Sequence, residues 1–118
     1  MSIFTIVLAV LVAIECVYIM YLETINPVSE KTAKTFGIDM QVLKDANIQS
    51  LLKNQGVYNG LLALGILYSL VVSNTSLLGA ILIYIIAVAI YGGITVDKSI
   101  ILKQGGVAIL ALGSLLLF

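Results

Sequence analysis

Four apolar stretches of membrane-spanning length dominate this sequence. They cover residues 3–22, 55–72, 77–96 and 99–118. A hydrocarbon layer of about 30 Å requires about 20 residues of α-helix at about 1.5 Å per residue. Only 10% of the residues are charged, whereas a soluble domain carries about 25%. We therefore expect an all-α integral membrane protein in which each stretch crosses the bilayer once.

The connections between the stretches predict their arrangement. Residues 73–76 and 97–98 are so few that they force antiparallel neighbours, which favours an antiparallel four-helix bundle. Residues 27–53 are many for an irregular loop, and Asp39 can cap a following helix. We expect a single transmembrane domain over 1–118, with a cytoplasmic segment at 27–53 that contains an amphipathic helix from Asp39 to Lys53. A solvated linker is the alternative for that segment.

The distribution of lysines predicts the orientation. All six basic residues lie on or next to the side of the first and third connections: Lys31, Lys34, Lys44, Lys53, Lys98 and Lys103. The positive-inside rule assigns that side to the cytoplasm. We expect a multi-pass protein of the plasma membrane with both termini outside. The first stretch lacks a basic start and contains Glu15, so we expect a retained span and not a cleaved signal peptide.

Several functional classes are excluded by composition. The formal net charge is zero, and no basic cluster suits a nucleic-acid backbone. Cys16 is the single cysteine and histidine is absent, so no disulfide, CxxC redox motif or zinc site is expected. We predict no cofactor and no metal, with the lipid bilayer as the main partner.

Polar side chains concentrate in the cytoplasmic half of the four stretches, while the outer half holds little beyond Ser69, Tyr84 and Ser114. A charge near the bilayer centre costs at least ~3 kcal/mol, so Glu15 should face protein or water; packing alone is the alternative. Glu23 is either a site residue or an interfacial acid that faces a lysine. Amides cannot face lipid without a penalty, so we expect the "NQGVYNG" stretch to face the bundle. The candidate ligand-binding residues are Glu15, Tyr18, Glu23, Asn54, Gln55, Tyr58, Asn59, Tyr91, Thr95 and Gln104.

Four short motifs carry a family resemblance. "YIMYLE", "NQGVYNGLLA", "YGGITV" and "QGGVAILAL" resemble the successive motifs of the family of domain of unknown function 1304. The resemblance implies a small four-helix integral membrane protein, mainly bacterial, without an established activity, and it gives weight to Glu23 and the "NQGVYNG" face. Cys16 stands where relatives often have histidine, so a histidine-dependent acid–base step cannot operate here. Val107 replaces a proline that is usual in the last motif.

Three functions are compatible with these features. The first is a protein that binds, or isomerises, a lipid-like or small amphipathic molecule in a polar pocket of the cytoplasmic half; enzyme status stays open. The second is a proton-coupled small-molecule exporter that uses Glu15. The third is an accessory subunit of a membrane complex, in which Gly56 and Gly60 form a GxxxG pair that admits another helix. Formation of a homo-oligomer also stays open.

Overall fold

The computed structural model describes residues 1–96 and 98–118, and every regular element in that range is helical. The prediction of an all-α protein is therefore confirmed. A π-helical turn, Tyr21–Ile25, follows directly on the first helix. The α-helices are α1 Ile3–Met20, α2 Glu30–Phe36, α3 Met40–Leu43, α4 Ala46–Val71, α5 Thr75–Thr95 and α6 Ser99–Leu117. Residue 97, in the predicted third connection, lies outside the described residues.

The four long helices pack side by side. Helix α1 contacts α4 and α6, and α5 contacts the same two helices. Small residues let these helices approach closely, as where Ala89 of α5 meets Gly105 of α6. The core between the helices combines small residues with branched ones: Ala9, Val12, Ala13, Ala63, Ile66, Leu78, Leu82, Ala108 and Ala111. Its interdigitation fixes which face of each helix points inward.

Within the part of the chain that the structure describes, three helical segments are long and apolar enough to cross a membrane: Ile3–Ile25, Thr75–Thr95 and Ser99–Leu117. Their outward faces carry large apolar side chains that a soluble monomer would rarely expose in such number. Helix α4 contains the predicted second span but does not reach the same apolarity, because amides occupy its first half.

The segment between the first two spans differs from its prediction. The expected helix from Asp39 to Lys53 is interrupted after Leu43, because Asp45 starts a new helix by accepting hydrogen bonds from the backbone N–H groups of Asn47 and Ile48. Its second part belongs to α4, so the amphipathic stretch and the second span form one continuous helix of 26 residues. Asp39 caps α3 as predicted.

Helix α2 was not predicted and anchors the segment to the end of the first span. Ser29 caps its start, and Gly37 ends it in the left-handed conformation with φ of 66°. The fully buried Thr32 donates a hydrogen bond of 2.8 Å to the carbonyl oxygen of Asn26. That bond satisfies a backbone acceptor at the point where Pro27 prevents the helix from continuing.

Candidate functional site

The π-helical turn brings the end of the first span into direct contact with α4. The backbone N–H of Asn26 donates to the carbonyl oxygen of Tyr21, the i to i+5 pattern that defines a π-turn. A methyl group on Gly56 would overlap the Thr24 hydroxyl, and one on Gly60 would lie 2.6 Å from the Met20 sulfur. The predicted GxxxG pair therefore does allow another helix to approach closely. That helix is the chain's own α1 together with the π-helical turn that follows it.

Glu23 and Asn59 form a hydrogen-bonded pair across this contact. Glu23 is only 6% exposed, and its Oε1 accepts a bond of 2.9 Å from Asn59 Nδ2. The same nitrogen donates to the carbonyl oxygen of Gln55 at 3.2 Å. A backbone carbonyl can only accept, so the amide nitrogen must point this way and Asn59 Oδ1 stays available as an acceptor. The alternative in which Glu23 faces a lysine is wrong, because its partner is an amide.

Three predicted site residues line one cavity between the helices. Glu15 comes from α1, Asn59 from α4 and Gln104 from α6. Within residues 1–96 and 98–118, the side chains of Glu15 and Gln104 make no hydrogen bond or ion pair. The remaining walls are mainly apolar: Cys16, Ile19, Leu62, Tyr84, Ile85 and Val88. The walls of the cavity are thus mainly apolar and shield it from water, while its polar groups can still form further hydrogen bonds.

The cavity is small. It measures about 40 Å³, whereas sites for drug-sized ligands measure about 300–1,000 Å³. A water molecule requires roughly 10–15 Å³ by this kind of measure, so the space suits one polar group and a few waters at most. The cavity is therefore too small for a whole lipid-like molecule, and the apolar part of such a molecule would have to lie outside it.

A larger groove lies beside the cavity, between α4 and α5. It has a volume of about 300 Å³ and is lined by Tyr58, Leu61, Leu62, Ile81 and Tyr84. Leu62 and Tyr84 line both spaces, so the groove and the polar cavity are neighbours that share these two side chains as walls. The sequence analysis assigned Tyr84 no role in a site. The feature that could have identified it is its phenolic hydroxyl, which needs a polar partner within a mainly apolar helix.

Two amides and a tyrosine of the "NQGVYNG" stretch do not face the interior. Asn54 and Gln55 are exposed, and Tyr58 is 55% exposed at the rim of the groove. The expectation that the whole stretch faces the bundle is therefore wrong for these three side chains. Asn59 is the member of the stretch that points between the helices.

Three further candidates lie away from the cavity. Tyr91 is 70% exposed, and the exposed Thr95 donates its hydroxyl to the Tyr91 carbonyl oxygen of its own helix at 2.9 Å. Tyr18 is largely exposed and lies under the Lys31 ammonium, which is 5.8 Å from its ring centroid. This cation–π contact connects α1 to α2. None of the three is among the residues that line the cavity of Glu15.

Buried hydroxyl groups join the helices at the opposite end of the chain's long axis. Thr5 of α1 and Ser114 of α6 are 2.8 Å apart between their hydroxyl oxygens, and both are buried. Ser69 donates to the Ile66 carbonyl oxygen within α4. The outer half, which is expected to be hydrophobic, thus contains a pair of hydroxyl groups between two helices. The hydroxyl groups of Thr5, Ser69 and Ser114 have hydrogen-bond partners within the protein.

The composition of the cavity does not suggest a metal centre. Among the residues that the structure describes, no group of three or more histidine, cysteine, aspartate and glutamate side chains could hold a metal ion. Cys16 lies buried at the cavity wall as a free thiol.

Comparison with known proteins gives a family and no solved relative. A family model described as "Protein of unknown function (DUF1304)" matches residues 10–116. "Uncharacterized protein YpaA" of Lactococcus lactis subsp. lactis (strain IL1403) is 50% identical over 114 residues, which cover 95% of this chain and 96% of that protein. No solved structure matches. The matched range includes all four sequence motifs and every residue that lines the polar cavity.

Proposed function

The chain belongs to the DUF1304 family of proteins of unknown function, and we propose that it is an integral membrane protein that binds a small amphipathic molecule. The polar end of that molecule occupies the cavity of Glu15, Asn59 and Gln104, and its apolar part lies in the groove between α4 and α5. The observation that carries the proposal is the adjacency of the two spaces, which share Leu62 and Tyr84 as walls.

In this proposal the four long helices form a membrane-spanning bundle with both termini outside the plasma membrane. The three apolar segments and the outward apolar faces support it. Helix α4 is the fourth span, and the lysines near its start and in α2 mark the cytoplasmic side. The cavity then lies within the cytoplasmic half, and the groove beside it opens toward lipid.

Unused hydrogen-bonding capacity favours a ligand over a role in packing alone. The side chains of Glu15 and Gln104 are half-buried at the cavity, and a stable bundle needs neither a carboxyl nor an amide there. Glu23 meets the description of a packing carboxyl, because Asn59 bonds it across the helix interface. Glu15 has no such partner within the described residues. The polar end of a ligand, or water in its absence, supplies one.

A variant that fills the groove tests the proposal. In Ile81→Trp the indole occupies the space for the apolar part, while Ile83→Trp places the same indole on an outward position of α5 that is 57% exposed. Proteins are purified in lipid nanodiscs, and bound molecules are identified by native mass spectrometry and by analysis of the organic extract.

We expect one amphipathic species to accompany the native protein and Ile83→Trp and to be lost from Ile81→Trp. Bound species that are the same in all three proteins, or no retained species in any of them, would refute ligand binding at the groove.

A further inference from the structure

The chemistry of the cavity identifies the class of ligand. We infer that the polar end of the ligand is a primary ammonium group, so that the ligand is an amphipathic primary amine. This inference rests on the proposed binding function and adds the identity of the group that the cavity recognises. It follows from which hydrogen-bonding atoms remain free once the interhelical contacts are made.

Asn59 can offer the cavity only an acceptor. Its Nδ2 donates both of its hydrogens, to Glu23 Oε1 at 2.9 Å and to the Gln55 carbonyl oxygen at 3.2 Å. The second partner cannot donate, so the amide cannot reverse without losing that bond. What remains of Asn59 at the cavity is its Oδ1 atom.

Glu15 supplies a carboxyl group without a countercharge, because no lysine within the described residues pairs with it. A cation bound beside it would favour the carboxylate form, whose oxygens only accept. Gln104 adds an amide with no other partner there. Because an amide can present either its oxygen or its nitrogen, Gln104 adapts to the ligand. Three helices therefore offer three acceptors, one of them charged.

A primary ammonium matches this set in number, charge and size. It carries three N–H donors and one positive charge. Its size is close to that of water, which suits a cavity of about 40 Å³. Charge-assisted hydrogen bonds of this kind are about twice as strong as neutral ones, and apolar walls exclude competing water.

Other polar ends fit less well. A trimethylammonium group has no N–H donor and is several times larger than one water. A carboxylate or phosphate would be repelled by Glu15 and by Glu23 behind Asn59. A hydroxyl is small enough but donates a single hydrogen and brings no charge to balance Glu15. The cavity thus selects against these three classes for separate reasons.

The experiment compares four amphiphiles that differ only in the polar end. Octylamine, octyltrimethylammonium, octanol and octanoate are titrated calorimetrically into the native protein in phosphatidylcholine nanodiscs, and titrations into empty nanodiscs are subtracted to remove partitioning. We expect saturable binding of octylamine that is at least tenfold tighter than binding of the other three. Ethylamine, whose apolar part is only two carbons long, should bind at least tenfold more weakly than octylamine.

Two variants test whether the cavity is the place where octylamine is bound. Glu15→Gln keeps the shape of the side chain, removes its charge and should weaken octylamine binding at least tenfold. Glu30→Gln removes an exposed acid of α2 away from the cavity and should leave binding unchanged. If Glu15→Gln does not fold, the ligand series on the native protein still decides the question.

The outcomes separate the two claims. If octanol, octanoate or octyltrimethylammonium binds as tightly as octylamine, the ammonium inference is overturned and the proposed binding of an amphipathic molecule stands. Ethylamine that binds as tightly as octylamine would overturn the amphipathic part. If none of the compounds binds, both the inference and its parent proposal lose their support.

Discussion

Replacement of Asn59 by leucine is expected to destabilise the chain through Glu23. The leucine keeps the approximate volume of the amide and removes its donors. Glu23, at 6% exposure, then loses the bond of 2.9 Å that connects the π-helical turn to α4. The perturbation is therefore an unpaired buried carboxyl at the contact between the π-helical turn and α4.

The magnitude follows from the environment of the pair. Double-mutant cycles on interhelical hydrogen bonds in a membrane protein average about 0.6 kcal/mol and reach about 1.7 kcal/mol. The short distance and the deep burial of Glu23 favour the upper end, so we expect a coupling free energy of about 1–2 kcal/mol. Glu23→Met together with Asn59→Leu should be less destabilising than the sum of the single changes, because no polar group is then left unpaired.

The assay is reversible unfolding in mixed micelles, with the free energy of unfolding measured for the native protein, both single variants and the double variant. Asn54→Leu serves as the matched control, since it removes an exposed amide of the same helix and should change stability by less than about 0.5 kcal/mol. A coupling energy within about 0.5 kcal/mol of zero would mean that the two residues act independently, and the role assigned to the pair would be wrong.

Two further predictions concern the close helix contact and the topology. Gly56→Ala should lower the free energy of unfolding by about 1–3 kcal/mol, because its methyl group overlaps the Thr24 hydroxyl; Gly106→Ala, with nothing within 4 Å, should leave stability unchanged or raise it by up to about 1 kcal/mol. Equal effects in the same unfolding assay would contradict the close contact. A periplasmic reporter enzyme fused to the C-terminus should be active and a cytoplasmic one inactive, and the reverse result would overturn the proposed orientation.

The helical architecture could be predicted because long apolar windows leave few alternatives, whereas helix boundaries in the polar segment could not. In residues 39–53, apolar side chains recur at helical spacing both before and after Asp45. The periodicity alone therefore does not reveal that one helix ends and another begins there. The aspartate at that position can cap a new helix by bonding two backbone N–H groups. A residue that can cap a helix, inside a stretch of helical periodicity, therefore indicates that a new helix begins there. In this sequence Asp45 is that residue.

For the candidate site, the position of each polar residue along its helix could be predicted, but the direction in which its side chain points around the helix could not. Depth along a helix follows from position in the span, which is why Glu15, Asn59 and Gln104 were expected at one level. The face that a side chain occupies depends on the neighbours. At about 100° per residue, Asn54 and Asn59 lie roughly 140° apart around α4, so they cannot both point at the same interface. The core contacts of α4 determine that Asn59 is the inward one.

The two acids of the first span have different roles, and Asn59 distinguishes them. Sequence resemblance gives more weight to Glu23, and the structure gives it a partner: it accepts one hydrogen bond from Asn59 and so joins the π-helical turn to α4. The Gln55 carbonyl oxygen accepts the other hydrogen of the same amide, which leaves Asn59 Oδ1 for the cavity that Glu15 lines. In the proposed function Glu23 is thus a positioning residue that leaves the cavity an acceptor site, while Glu15, without a partner among the described residues, is the group that would face the ligand.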